Sequence, residues 1–195
     1  MPLTWVAVTA LAAACSPAVA PSTLAALAKV ESGFDPLAIG VNGGRGQQIH
    51  PTTRDDAVAT ASQLLAAGRN IDLGLAQINS GNLAQLGLTI ERAFDACANL
   101  EASGRVLLAA YSAAPARSGG LAVLQALSVY NTGRTDRGFR NGYVAKVTAA
   151  AAALPDLPIA AAPPPPATPA WDVFGQAGRR VDPSFVFTAA PGDAP

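Results

Sequence analysis

Residues 24–36, LAALAKVESGFDP, decide how this chain is read. Pro21-Ser22-Thr23 just before them marks a helix start, with Ser22 or Thr23 available as N-cap. Leu24, Leu27, Ala28 and Glu31 follow at i, i+3, i+4 and i+7, so one helical face carries all four. Gly33 and Pro36 then end the helix. Glu31 is the anomaly. It stands on the apolar face and in the last turn, where the negative end of the helix macrodipole disfavours its charge. Partial burial disfavours the ionised form further. Both effects raise a carboxyl pKa toward the range a general acid needs near neutral pH. The competing reading is a frayed, solvated helix end, with Glu31 paired to Lys29 or an arginine.

Outward from this helix the chain stays mainly helical. Residues 37–53 hold four glycines and the β-branched Ile39, Val41 and Ile49, which suggests a short irregular hairpin. Arg54 to Ala67 reads as a helix with Ala57, Val58, Ala61, Leu64 and Leu65 inward and Gly68 as C-cap. Ile71 to Asn79 looks extended and leads into a short helix around Asn82–Leu86. Leu100–Ala114, Leu121–Tyr130 and Tyr143–Leu154 complete the helical set. From Pro155 the character changes, because ten of the sixteen prolines lie there and periodicity stops. That segment, 155–195, reads as a disordered Pro/Ala-rich tail. It concentrates aromatics in Trp171-Asp-Val-Phe174-Gly and Phe185-Val-Phe187, which suggests a docking motif or a fold-back onto the core. The expected architecture is a mostly α (α+β) domain over 15–154 with a small extended insertion.

The N-terminal segment, 1–14, has two readings. Trp5 to Ala14 is apolar apart from Thr9, and no charge occurs before Lys29. The run is too short to span a bilayer, which takes about 20 apolar residues. Ala18-Val19-Ala20 resembles a signal-cleavage site, yet the basic n-region is missing. An atypical export signal and a first helix of the domain both fit. Cys15 and Cys97 suit neither CxxC redox chemistry nor a metal site. In an oxidising compartment they could close one long loop, contributing roughly 3–5 kcal/mol; otherwise they are two buried thiols.

Charge is balanced at 13 basic and 13 acidic residues, so nothing favours nucleic acid. One histidine (His50) and two cysteines do not make a four-ligand zinc site. There is no P-loop, dinucleotide fingerprint or G-x-S-x-G elbow, and neither a cofactor nor a metal is expected. Glycosidases ordinarily use two carboxylates. The neighbouring candidates are Asp35, which looks like a turn residue, and Asp72, which caps or lines the extended segment. Gln77 and Asn79 alternate with Ala76 and Ile78, which puts both amides on one face of an extended strand.

Four motifs then carry a resemblance. Glu31-Ser32-Gly33-Phe34-Asp35-Pro36-Leu37-Ala38-Ile39-Gly40 resembles the active-site segment of the soluble lytic transglycosylases, which have a goose-type lysozyme-like fold. Gly74-Leu75-Ala76-Gln77-Ile78-Asn79 is similar to their G-L-[MA]-Q-[IV]-N motif. Tyr130-Asn131-Thr132-Gly133 and Gly142-Tyr143-Val144-Ala145-Lys146-Val147 resemble their two late motifs. The four occur in the family's order over about residues 22–148. Cys15-Ser-Pro, Ala38-Ile39-Gly40-Val41-Asn42, Phe94-Asp95-Ala96-Cys97-Ala98-Asn99-Leu100, the Pro-rich tail and Trp171-Asp172-Val173-Phe174-Gly175 are closer still to the small transglycosylases of type IV secretion and conjugation systems. Ala96 stands where that subgroup usually has Pro.

The resemblance implies a lysozyme-like fold, a Cys15–Cys97 disulfide and a periplasmic enzyme acting on peptidoglycan strands. Glu31 would protonate the glycosidic oxygen between N-acetylmuramic acid and N-acetylglucosamine, then serve as base for the C6 hydroxyl that closes a 1,6-anhydro ring. That internal nucleophile explains why a single carboxylate suffices. Ser32, Gln77, Asn79, Tyr130 and Tyr143 are the expected substrate contacts, Ser32 and Tyr130 also being candidates to bond Glu31. Gly74, Asn131 and Gly133 are expected to shape the site. The tail would meet secretion-system components. Two rivals stand beside this: a hydrolytic muramidase using Asp35 or Asp72, and a non-catalytic, glycan-binding assembly factor.

Overall fold

The computed structural model describes residues 1–43, 47–116 and 118–153. The 155–195 tail, with Trp171, Phe174, Phe185 and Phe187, lies outside the described residues. Helix α1 spans Trp5–Cys15 and α2 spans Pro21–Ser32; a hairpin follows, β1 (Ile39–Val41) and β2 (Gln47–Ile49). Helix α3 (Arg54–Ala66) leads to β3 (Ile71–Leu73) and β4 (Ile78–Asn79), then a 3-10 turn at Ser80–Asn82. The remaining elements are α4 (Leu83–Leu86), α5 (Ile90–Ala93), α6 (Ala96–Ser112), α7 (Gly119–Thr132), α8 (Arg137–Arg140) and α9 (Tyr143–Ala152). This is the expected α+β, mostly helical architecture.

Helix α2 is the centre of the helical lobe. Leu24, Ala25, Ala26, Leu27 and Ala28 are all fully buried, and α1, α6 and α9 pack on it. A helix covered on most sides needs small residues, because each alanine lets a neighbouring backbone come close. Its start corrects the expected cap. Pro21 is the first helical residue, Ala20 precedes it, and neither Ser22 nor Thr23 caps it. Proline suits that position because its fixed φ is already helical and its missing N–H would have had no partner.

Helix α1 belongs to the same core, with Val8 and Ala12 buried. Its first residue, Trp5, stacks at a tilt on Phe34, with ring centroids 6.1 Å apart. Just ahead of α1, the backbone N–H of Leu3 donates to the Phe34 carbonyl at 2.8 Å. Phe34 has φ 73°, an uncommon conformation for a residue with a side chain. These contacts fix the chain as it leaves the end of α2. Cys15, closing α1, is disulfide-bonded to Cys97 in the first turn of α6, with Cα atoms 5.4 Å apart. Among the described residues no helix is long and apolar enough to cross a membrane.

The second lobe is an antiparallel sheet in the order β2-β1-β3-β4. Ile39, Leu73 and Ile78 lie in one row of the register, with Gly40, Asp72 and Asn79 in the next. Because side chains alternate across a strand, the first row packs with Ala57, Ala61, Phe94 and Ala102 in a second core, while the second row faces away from it. Helix α6 joins both cores, through Leu100 and Leu107 on one side and Ala102 on the other.

The continuous strand expected over 71–79 is a correction. The chain leaves β3 at Leu73, turns through Gly74 (φ 74°) and Gln77 (φ 50°), and pairs again as β4. Helix α6 begins four residues earlier than expected because the Asp95 carboxylate caps it, accepting from the Ala98 N–H at 2.8 Å.

Candidate active site

Glu31 is the penultimate residue of α2, half-buried in the lining of a cleft of about 390 Å³ between the two lobes. Asn42, Asn70, Asp72, Gln77, Ile78, Asn79, Asn82, Val106, Tyr130 and Asn131 line it with Glu31. The size suits a sugar unit, and the lining is dominated by amides, which pair with hydroxyl and N-acetyl groups. Burial pushes the Glu31 carboxyl up to about 7; a hydrogen bond from Tyr143 opposes the rise, and the Asp72 charge adds to it. A carboxyl poised there is half protonated at neutral pH and can give and retake a proton.

The Tyr143 hydroxyl donates to Glu31 Oε1 at 2.5 Å. Tyr143 opens α9 and is itself placed by a relay. The Asn141 side chain accepts from the Tyr143 N–H at 2.9 Å, and donates to Asn131 Oδ1 at 2.9 Å. Asn131 therefore fixes the start of α9 from the end of α7, while Gly133 closes α7 in the left-handed conformation. Tyr143, rather than Tyr130, is the phenol bound to Glu31. Burial and then the Glu31 charge push both phenols up, so both stay protonated donors.

Tyr130 and Ser32, two of the expected substrate contacts, both hydrogen-bond backbone carbonyls of the 74–77 turn. The Tyr130 hydroxyl donates to the Ala76 carbonyl at 2.8 Å and lies 3.1 Å from Ser103 Oγ. The Ser32 hydroxyl, buried, donates to the Leu75 carbonyl at 2.7 Å. A third side chain completes the set. Asn99, fully buried in α6, accepts from the Ala76 N–H at 2.8 Å and donates to the carbonyls of Leu73 and Ala93 at 2.9 and 2.7 Å. These three residues satisfy the buried backbone of the 74–77 turn, which would otherwise be costly. Gly74 is required beneath it: a Cβ there would come within 2.3 Å of the Ala93 carbonyl oxygen.

Gln77 and Asn79 both line the cleft, though not as alternate residues of one strand. Gln77 is a turn residue whose amide donates to the Gly74 and Ala38 carbonyls at 2.8 and 3.1 Å. Its Oε1 occupies the gap beside Gly40, where a Cβ would sit 2.7 Å away. Asn79 donates to Asp72 Oδ1 at 2.7 Å. The two spare carboxylates separate here. Asp35 is buried and occupied, accepting from the Leu37 N–H at 3.0 Å and pairing with His50 Nδ1 at 2.8 Å, whereas Asp72 lines the cleft. Asn42, Asn70, Asn82, Asn99 and Ser103 carried no assigned role in the sequence. The one available signal was Asn99, a polar residue within an otherwise core-facing stretch of α6, since a buried amide must be paired.

Two lobes with a cleft between them, and a single near-neutral acid in its lining, are the arrangement of lysozyme-like glycan-cleaving enzymes. The family model of the transglycosylase SLT domain matches residues 9–151, and the chain belongs to that family, as a lytic transglycosylase of peptidoglycan. It is 43% identical over 173 residues to Protein virB1 of Rhizobium radiobacter, covering 85% of this chain and 71% of that protein. Identity to Protein virB1 of Agrobacterium fabrum is 40% over 185 residues, 92% of this chain and 75% of the relative. With the type IV secretion system protein virB1 of Brucella abortus it is 43% over 149 residues, 72% and 62% respectively. No solved structure matches the chain.

Proposed function

We propose that this enzyme cleaves the β-1,4 bond between N-acetylmuramic acid and N-acetylglucosamine with formation of a 1,6-anhydro ring. Protonated Glu31 gives its proton to the glycosidic oxygen as the bond from C1 breaks. Its carboxylate then takes the proton of the muramoyl O6 hydroxyl as O6 bonds to C1. The proton returns to Glu31 and no water is consumed. The observation that carries this is the Glu31 carboxyl in the cleft lining, raised to about 7 and held by Tyr143. Tyr143 steadies the anion formed midway through the cycle, while Gln77 and Asn79 line the cleft that takes the sugar.

The type IV secretion setting rests on the similarity to the virB1 proteins. In that setting the enzyme acts in the periplasm, opening the wall locally for a secretion or conjugation apparatus. The 155–195 tail is proposed as the segment that meets the apparatus.

The test is mass spectrometry of muropeptides released from purified sacculi, wild type beside Glu31→Gln. Expected are products lighter by one water than reducing muropeptides, with turnover at least 100-fold lower in the mutant and glycan binding kept. Reducing-end products would overturn the anhydro chemistry in favour of hydrolysis. Unchanged turnover in Glu31→Gln would remove Glu31 from the mechanism.

A further inference from the structure

The catalytic cleft does not end at the sugar-sized space beside Glu31. A second, larger cavity of about 680 Å³ opens between α4, α6 and α7, and Asn82 and Val106 line both. The two spaces are therefore neighbours across one wall, and their chemistry differs. Amides dominate the cleft, whereas Leu86, Val106, Ala109, Ala113 and Val129 give the second cavity apolar walls. One cation reaches across it. Arg105 of α6 is exposed, and its Nη1 donates to the Leu86 carbonyl of α4 at 3.0 Å. A guanidinium has five N–H donors, so this bond anchors the group without exhausting it. Among the described residues Arg105 is the one charged side chain in this lining, and no salt bridge includes it.

An occupant of this cavity has to be attached to a sugar in the cleft, apolar along its length and anionic farther out. A stem-free glycan strand offers only the lactyl carboxylate, close to the sugar. Intact peptidoglycan offers more, because each muramoyl lactyl group carries a short peptide built largely of alanines and carboxylate-bearing residues. We propose that the cavity is a stem-peptide site, in which alanine methyl groups lie against the apolar walls and Arg105 pairs with a stem carboxylate. Burying each methyl group is favourable, and a guanidinium holds a carboxylate through two parallel hydrogen bonds. Continuity with the cleft and charge both select this occupant, since a wholly apolar one would desolvate Arg105 without supplying an anion. The proposal rests on the sugar lying beside Glu31, as in the reaction above. It makes Arg105 a specificity-determining residue, outside the chemistry, that selects peptide-bearing strands.

The test compares kcat/KM on peptide-bearing strands with kcat/KM on the same strands stripped of peptide by an amidase. Wild type should favour the first by at least about 10-fold, the gain from one charge-assisted pair and a few buried methyl groups. Arg105→Gln should cut that ratio by about 5-fold or more, mainly through KM, because the contact exists before and during bond cleavage. Arg105→Lys keeps the charge but not the fork, and should fall between the two. Ala109→Trp fills the cavity from a position absent from the cleft lining and should also cut the ratio. Because each value is a ratio, a smaller folded fraction in a variant cancels. Equal wild-type rates on the two substrates would overturn the proposal, and so would a ratio left intact by Arg105→Gln.

Binding separates this site from the reaction itself. Glu31→Gln should bind a disaccharide-peptide at least about 10-fold more tightly than the disaccharide alone, whatever products wild type releases. Equal affinities would overturn the stem site. Absence of anhydro products from wild type would defeat the proposed reaction instead, and the binding comparison would still read the cavity.

Discussion

Glu31 and Tyr143 form the pair on which the pH behaviour of the enzyme depends. The tyrosine hydrogen bond favours the charged carboxylate, while burial and Asp72 disfavour it. Tyr143→Phe removes the favouring contact, so the Glu31 pKa should rise above about 7 and the alkaline limb of kcat/KM should move to higher pH. A stopped assay across pH 5.5–9 reads this, and a limb that stays put would mean the phenol does not bond the carboxylate in solution. The same carboxyl makes a stability statement. Its folded value of about 7 lies above the ordinary carboxyl value of 4.5. Between the two, the unfolded chain gives up its proton first, so the contribution of Glu31 to stability is full below the lower value and is lost as pH rises through the higher one. The loss is at most ~3 kcal/mol. Glu31→Gln should therefore melt higher than wild type at pH 8 and lose that advantage by pH 4, as paired melting curves would show. The anomalous carboxylate was legible because a helix C-terminus and a hydrophobic face are both local. Which tyrosine would meet it was not, since Tyr130 and Tyr143 lie on different helices and only tertiary packing brings one to Glu31.

At the scale of the elements, the 74–77 turn is what lets the sheet lobe meet the helical one. Ser32 from α2, Asn99 from α6 and Tyr130 from α7 all end on its backbone. Asn99→Ala strips three partners at once and leaves the Ala76 N–H without its acceptor; the expected cost is about 2–4 kcal/mol. Urea unfolding would show it, and a loss under about 0.5 kcal/mol would mean that the turn holds without α6. Sequence periodicity placed α3, α6, α7 and α9 well because each is long enough to show an apolar face. It missed α5 and α8, four residues each, whose starts depend on a cap or on a neighbour. It also drew 71–79 as one strand: the alternation is real, but Gly74 and a left-handed Gln77 fold it back on itself. Motif resemblance singled out Ser32 and Tyr130 without revealing their bonds to this turn, because a motif records that a residue matters and not which backbone it holds.

For the molecule as a whole, α1 and α6 are joined twice, by packing and by the Cys15–Cys97 bridge. Closing that loop contributes roughly 3–5 kcal/mol by the chain-entropy estimate. Reduction should therefore lower the melting temperature clearly, in proportion to that figure; identical melting with and without reductant would show that packing alone secures α1. Trp5 and Leu3 also brace Phe34 beyond the end of the Glu31 helix, so loosening α1 loosens the acid's footing. Taken with the proposed periplasmic site of action, this amounts to a form of timing. If the enzyme works where proposed, its bridge closes only on the oxidising side, so the footing of its acid would be firmest where there is a wall to cut.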